Sequence, residues 1–221
     1  VLLAAGEGIR LRPITEKIPK TMVEVNGKNL LERNMALLSE EINEVILVVG
    51  YLSERIKAYF GDRYKDKKIT YIDQEELLGT GHALHLCKNF LKEKFLVMMG
   101  DDIYSKKDLE KCLKNDWTIL TQEVQGGISG GAIKLDEDEN LESIQEGFHQ
   151  EKKVLVNTGL YVLQKEFFDY DLIPIKDGRE FGLPQTLVKV AQDYPVKVEK
   201  ASFWLQVGDL EQLERAREMV V

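Results

Sequence analysis

Short apolar runs alternate with amphipathic segments along this chain, and that alternation restricts it to the α/β class with a largely parallel sheet. Val1–Ala4, Val45–Val49 and Phe95–Met99 lack period-two polarity, so they read as strands buried on both faces. Helices are expected between them. Leu30–Ser39 carries Leu30, Leu31, Asn34, Leu37 and Leu38 at helical spacing, and Leu52–Phe60 and Ser105–Asn115 repeat the pattern. From Thr118 to Leu163 the runs turn strand-like, with turns expected at Gly126-Gly127, Gly130-Gly131 and Asp136–Asn140. Leu183–Gln192 and Leu210–Met219 return to helical spacing, with Pro184 tolerated in a first turn where its missing N–H costs nothing. A chain of 221 residues, 43% hydrophobic, can bury one sizeable core.

Charge and cysteine usage narrow the functional classes. Lys and Arg number 30 against 38 Asp and Glu, a net charge of −8 that argues against nucleic acid polymers or anionic membrane as partners. Cys87 and Cys112 stand far apart with no Cys or His at metal spacing, so neither a disulfide framework nor a zinc site is expected. No apolar run reaches the roughly 18 residues of a membrane span. The chain opens on a strand with no signal-peptide pattern, and a cytoplasmic location is expected.

The strongest local signal is Leu3-Ala4-Ala5-Gly6-Glu7-Gly8-Ile9-Arg10-Leu11-Arg12-Pro13, followed by Ile18-Pro19-Lys20. A Gly-x-Gly turn after a buried strand brings backbone amides close to a phosphate. Taken alone it reads equally well as a tight strand-to-loop turn. Arg10, Arg12 and Lys20 in one loop favour the anion, because cations clustered without nearby acids usually face one. The loop is not a Walker A motif, since Gly27-Lys28 is followed by Asn29 and Met22 stands where the leading Gly belongs. Nor is it a dinucleotide fingerprint, whose third Gly is replaced by Leu11.

Other candidates are single residues. Asp101 follows a buried strand ending in Gly100, at the sheet edge where open α/β folds keep ligands, and its hard oxygens suit magnesium. Asp101-Asp102 reads equally as a capped turn before a helix near Ser105. Gln74 offers the donor and acceptor that read the imide edge of uracil or thymine, and Gly79 leaves room for a base; in isolation Gln74 reads as a solvated surface residue. Asn157, inside the run Val154–Leu163, either faces solvent or bonds something buried. His82, His85 and His149 show no metal or catalytic spacing.

Taken together, the glycine loop with Pro19-Lys20, the segment Gln74-Glu75-Glu76-Leu77-Leu78-Gly79-Thr80-Gly81-His82-Ala83, the turn Gly100-Asp101-Asp102 and the strand Asn157-Thr158-Gly159-Leu160-Tyr161 resemble the sugar-1-phosphate nucleotidyltransferases. That family includes glucose-1-phosphate thymidylyltransferase and N-acetylglucosamine-1-phosphate uridylyltransferase. The resemblance implies a Rossmann-like α/β domain with a central mixed, mostly parallel sheet and a small β-rich sugar-binding lobe. A nucleotide-binding half would span about 1–117 and a sugar-binding half about 118–221. It implies a nucleoside triphosphate, UTP or dTTP favoured, a sugar 1-phosphate, release of pyrophosphate, and Mg2+. By the same resemblance Arg10, Lys20 and Asp101 are catalytic, and Leu3, Ala4, Ala5, Gly6, Gly8, Gln74, Gly79 and Thr80 bind the nucleotide. Gly131, Glu146 and Asn157 bind the sugar, and Asp101 and Gln206 the metal.

Two departures stand out. Gly147 and Phe148 follow Glu146 where the family often has Lys-Pro, leaving Lys152 or Lys153 as substitutes. Phe203-Trp204-Leu205-Gln206-Val207-Gly208-Asp209 carries Gln206 in place of a second metal-binding Asp, so weaker metal affinity is expected, or a contribution from Asp209 or Asp102. Two rival functions remain: a cytidylyltransferase acting on a non-sugar alcohol phosphate, which Pro19–Lys28 also resembles, and a catalytically weak regulator that binds nucleotide sugars. Many relatives carry a carboxyl-terminal left-handed β-helix, so a longer parent protein is compatible with the chain, as is a homo-oligomer.

Overall fold

The computed structural model describes residues 1–125 and 127–220, with Ile128 and Ser129 described by backbone alone. The turn expected at Gly126 therefore lies outside the described residues. The chain forms two compact units: one of Val1–Leu77, Met99–Lys106 and residues 204–220, the other of Leu78–Met98 and Lys107–Phe203.

In the first unit the apolar runs are parallel strands. Leu2–Ala4 pairs with Glu44–Val49 in the register Leu2↔Leu47 to Ala4↔Val49, and Glu44–Val49 pairs with Lys67–Asp73 from Glu44↔Lys68 to Val49↔Asp73. Leu2, Leu47, Val48 and Val49 are at most 1% exposed, as strands covered on both faces require. Arg63–Tyr64 adds an antiparallel edge. The helix Leu30–Leu37 stops two residues short of its apolar pattern because Leu38 is already extended, and Asn29 caps its start by accepting from Glu32 N at 2.8 Å. Ser53–Phe60 begins one residue later than expected, since Leu52 takes a left-handed conformation at φ 53°. Leu210–Met219 forms over the expected range, capped by Asp209, whose carboxylate accepts from Gln212 N at 2.9 Å.

The second unit is built mainly from antiparallel pairs around the long strand Lys153–Gln164. It pairs with Lys94–Met99 at Leu160↔Met98 through Gln164↔Lys94, and with Thr118–Gln125 at Lys153↔Gln125 through Asn157↔Thr121. Ile128–Leu135 pairs with Lys153–Gln164 at Ala132↔Val156 and with Leu141–His149. Lys197–Lys200 lies parallel to Thr118–Gln125. Gly130-Gly131 is not a turn: it lies inside a strand, paired with Gly147 and Glu146. The Asp136–Asn140 turn forms as expected, with Asp136 Oδ1 accepting from Asp138 N at 2.9 Å and Asn140 N at 2.8 Å. Lys106–Cys112 is shorter than the expected Ser105–Asn115, and Leu183–Val190 shorter than Leu183–Gln192. The chain is thus an α/β fold with mixed strand pairing. No helix among the described residues is long and apolar enough to cross a membrane.

Candidate active site

The first unit places the glycine loop directly after the buried strand Leu2–Ala4. Two further glycines admit that strand. A Cβ on Gly50 would lie 2.9 Å from Ala5 O, and one on Gly100 would lie 2.9 Å from Leu3 O, while the Gly100 amide donates to that oxygen at 2.9 Å. Gly50 was not singled out in the sequence, although a glycine closing a buried strand is the same signal that drew attention to Gly100.

The loop's own glycines serve different ends. Gly6 is exposed, with nothing within 4 Å of an added Cβ, so the approach to its backbone is open. Gly8 has φ +67°, and an added Cβ would stand 2.8 Å from Lys20 Cβ and 3.1 Å from Thr15 Cγ2. Gly8 is therefore the residue over which Lys20 passes. Thr15 Oγ1 donates to Gly8 O at 2.8 Å and Leu11 is fully buried, so the loop is anchored at both points.

Two of the three cations stand beside acids, contrary to expectation. Arg12 Nη2 lies 3.6 Å from Glu7 Oε2, and Lys20 Nζ forms an ion pair with Asp101 Oδ2. Arg10 is exposed and has no ion-pair partner among the described residues. Its guanidinium lies against Gly208, where an added Cβ would be 2.8 Å from Nη2. An exposed, unneutralised guanidinium on a loop that also has an open glycine backbone is a site an anion can take.

Asp102 behaves quite differently from a turn cap. It is 7% exposed, and its carboxylate accepts from Trp204 Nε1 at 3.1 Å and from Val207 N at 3.4 Å. Its backbone oxygen accepts from Asn34 Nδ2 at 3.0 Å, and the same amide donates to Met99 O at 3.2 Å. Burial, with Asp101 alongside, pushes the Asp102 carboxyl well above the ordinary carboxylate range. Asp209 is occupied in capping its helix. Asp101, its side chain 19% exposed, is thus the carboxylate left for a ligand, and half-buried Gln206 has no hydrogen-bond partner among the described residues. No group of three or more His, Cys, Asp or Glu among the described residues could hold a metal by itself. A single carboxylate still fits magnesium, which is commonly held by one or two carboxylates plus substrate phosphates.

Gln74 follows the strand Lys67–Asp73, and its backbone N–H donates to Val49 O at 2.8 Å. At 5% exposure it is not the solvated surface residue that its type alone suggests.

In the second unit the expected sugar and base residues are woven into the fold. Gly79 and Gly81 open the helix Gly79–His85, and an added Cβ on Gly79, at φ +88°, would meet Phe181 O at 2.5 Å. The space at Gly79 is filled by backbone of the Glu180–Gly182 strand, so packing requires its lack of a side chain. Thr80 Oγ1 accepts from Leu183 N at 3.2 Å. Gly79→Ala is expected to destabilise the fold by at least ~2 kcal/mol, combining a strained φ with a backbone clash. Urea unfolding measures this, and an unchanged midpoint would contradict the packing assignment.

Gly131 faces Glu146 across the strand pair, where an added Cβ would lie 3.0 Å from Glu146 Oε1. Exposed Glu146 accepts from Gln185 Nε2 at 2.9 Å, a partner that sequence spacing could not reveal. Asn157 donates to Tyr161 Oη at 2.7 Å and accepts from Gly159 N at 2.9 Å, which leaves one N–H and one lone pair of its amide. Of the two substitute lysines, Lys153 pairs with Glu123 Oε1 at 2.7 Å. His149 is 5% exposed with Nε2 3.0 Å from Gly130 O, and His85 packs its ring edge-on to Phe168, so both serve the fold.

Comparison with known proteins decides the family, since the nucleotidyl transferase profile matches residues 1–220. The chain belongs to the nucleotidyl transferase family. This nucleotidyl transferase is 31% identical over 210 residues to the bifunctional protein GlmU of Methanocaldococcus jannaschii, a match covering 94% of the chain and 50% of that relative. The chain thus spans about half the length of the GlmU relatives it matches. It is 35% identical over 172 residues to the D-glycero-alpha-D-manno-heptose 1-phosphate guanylyltransferase of Campylobacter jejuni, covering 76% of the chain and 77% of that protein. Among solved structures, one from Bacillus anthracis assigned as a glucose-1-phosphate thymidylyltransferase shares the fold at a TM-score of 0.85 and 22% identity, covering 99% of this chain and 93% of that one. HddC from Yersinia pseudotuberculosis matches at a TM-score of 0.76 and 28% identity, covering 98% and 96%.

Proposed function

We propose that this nucleotidyl transferase is a single domain, nucleotide-binding over about 1–117 and sugar-binding over about 118–221, that condenses a nucleoside triphosphate with a sugar 1-phosphate. The observation that carries this reading is exposed Arg10, without an ion-pair partner among the described residues, on the same loop as the open backbone of Gly6, with the Lys20–Asp101 pair in the same unit. A sugar phosphate oxygen attacks the α-phosphorus. The new P–O bond forms as the bond to the bridging oxygen breaks, and pyrophosphate leaves with the electron pair. Catalysis of this kind is mostly alignment and charge neutralisation. Arg10 neutralises the departing pyrophosphate, and Lys20, positioned by its passage over Gly8, neutralises the phosphates at the reacting centre. The family generally uses a divalent metal; magnesium is our assignment, and when bound it would offset triphosphate charge, held by Asp101 and Gln206. Leu3, Ala4, Ala5, Gly6, Gly8, Gln74, Gly79 and Thr80 belong to the nucleotide side, and Gly131, Glu146 and Asn157 to the sugar side. We place the reaction in the cytoplasm, where triphosphates are made.

The paired donor and acceptor of a glutamine amide at position 74 favour UTP or dTTP as the donor. A second reading, guanylyl transfer, draws on the name of the Campylobacter relative. Pyrophosphate release measured over a panel of triphosphates and sugar 1-phosphates separates the two. UTP or dTTP is expected to exceed ATP and GTP by roughly 10-fold or more in kcat/KM. GTP as the best donor would overturn the role given to Gln74, and no release with any pair would favour a binding protein over an enzyme.

A further inference from the structure

Asp102 takes part in none of the chemistry above, yet it is a buried carboxylate joining two segments about a hundred residues apart in sequence. On one side its turn is pinned by Asn34, which is fully buried and donates to the backbone oxygens of Met99 and Asp102. On the other, its two carboxylate oxygens receive the Trp204 indole N–H and the Val207 amide N–H. Those two donors flank Gln206. Val207 is followed by Gly208, whose amide donates to Gln212 Oε1 at 2.7 Å and against whose Cα the Arg10 guanidinium rests. Backbone pairing alone holds this segment weakly: Trp204–Leu205 pairs with Ile103–Tyr104 over two residues, and no strand pairing continues through Gln206 to Gly208.

We propose that Asp102 is a positioning residue for the phosphate site, fixing through Trp204 and Val207 the segment that carries Gln206 and against which Arg10 is set. The chemistry fits the task. Each of its two carboxyl oxygens accepts one of the two donors, the Trp204 indole N–H at 3.1 Å and the Val207 N–H at 3.4 Å. Burial strengthens each bond and raises the cost of losing either partner. No hydrogen bond or ion pair joins Asp102 to Arg10 among the described residues, and the contacts that connect them run through this segment. This inference rests on the proposed role of Arg10 as an anion ligand and deepens it.

A double-mutant cycle between Asp102→Asn and Arg10→Ala tests it. The readout is affinity for inorganic pyrophosphate, measured by calorimetry in the presence of a chelator. Asparagine keeps the shape but turns an NH2 toward one of the two donors. Arg10→Ala and Asp102→Asn are each expected to weaken pyrophosphate binding roughly 5- to 10-fold, and the double variant little more than Arg10→Ala alone. Multiplication of the two losses, in variants with cooperative thermal unfolding, would overturn the positioning role. Full-strength binding by Asp102→Asn would do the same. If Asp102→Asn fails to fold, Trp204→Phe removes one donor while keeping an aromatic ring and takes its place in the cycle, with the same expectation and the same overturning result. Because the probe needs neither metal nor turnover, an enzyme inactive toward every triphosphate still gives an answer. Should Arg10→Ala itself bind pyrophosphate normally, Arg10 is not the anion ligand, and both the positioning role and the proposed mechanism fall.

Discussion

Arg10→Ala is expected to lower turnover by on the order of 10²-fold or more, and Lys20→Ala by at least as much, because each removes charge neutralisation needed in the transition state. The two variants are expected to differ in stability. Arg10 is exposed and has no ion-pair partner among the described residues, so its loss leaves the unfolding midpoint close to the parent's. Lys20 pairs with Asp101, side chains 14% and 19% exposed, so removing it leaves a half-buried carboxylate without its partner and lowers the midpoint as well. Steady-state rates of pyrophosphate release, read beside urea unfolding, check both. Near-normal turnover in either variant would rule out the phosphate-loop assignment.

Removal of the proposed metal ligand carries the other large effect. Asp101→Asn is expected nearly to abolish activity, because the two other candidate carboxylates are occupied, Asp102 by Trp204 and Val207 and Asp209 by its helix cap. Gln206→Asp is expected to shift the magnesium titration of the initial rate to lower concentration, since a carboxylate binds the ion more strongly than an amide oxygen. The parent's own titration is expected to be weak and supplied largely by the triphosphate. A Gln206→Asp titration that overlays the parent's, together with loss of activity in Asp209→Ala, would place the second ligand elsewhere.

Much of the fold was legible because the buried strands announce themselves: Val45–Val49 and Phe95–Met99 have no polar alternation, and all but Met99 are buried. Gly130-Gly131 misled because glycine pairs usually mark turns, whereas here Gly131 is a cross-strand neighbour of Glu146 that leaves that side chain room. The helix Gly79–His85 went unread because Gly-Thr-Gly has poor helix propensity; contact with Glu180–Gly182 overrides it. In the candidate site the positions of Arg10, Lys20 and Asp101 were legible from a strand followed by glycines and cations. Their pairing was not. Lys20 and Asp101 are separated by 81 positions and Asp102 and Trp204 by 102, and no local spacing encodes contacts of that range. Asp102 read as a cap because Asp before a helix usually is one.

Transfer of a nucleotidyl group to a sugar 1-phosphate is read from the fate of a label at the α-phosphorus. A triphosphate labelled at that atom is incubated with the sugar 1-phosphate and magnesium, and the products are separated. The α label is expected in a nucleotide sugar, in one-to-one yield with unlabelled pyrophosphate, and neither is expected to form when the sugar 1-phosphate is omitted. Label recovered as free nucleoside monophosphate, or pyrophosphate released without any sugar acceptor, would contradict it.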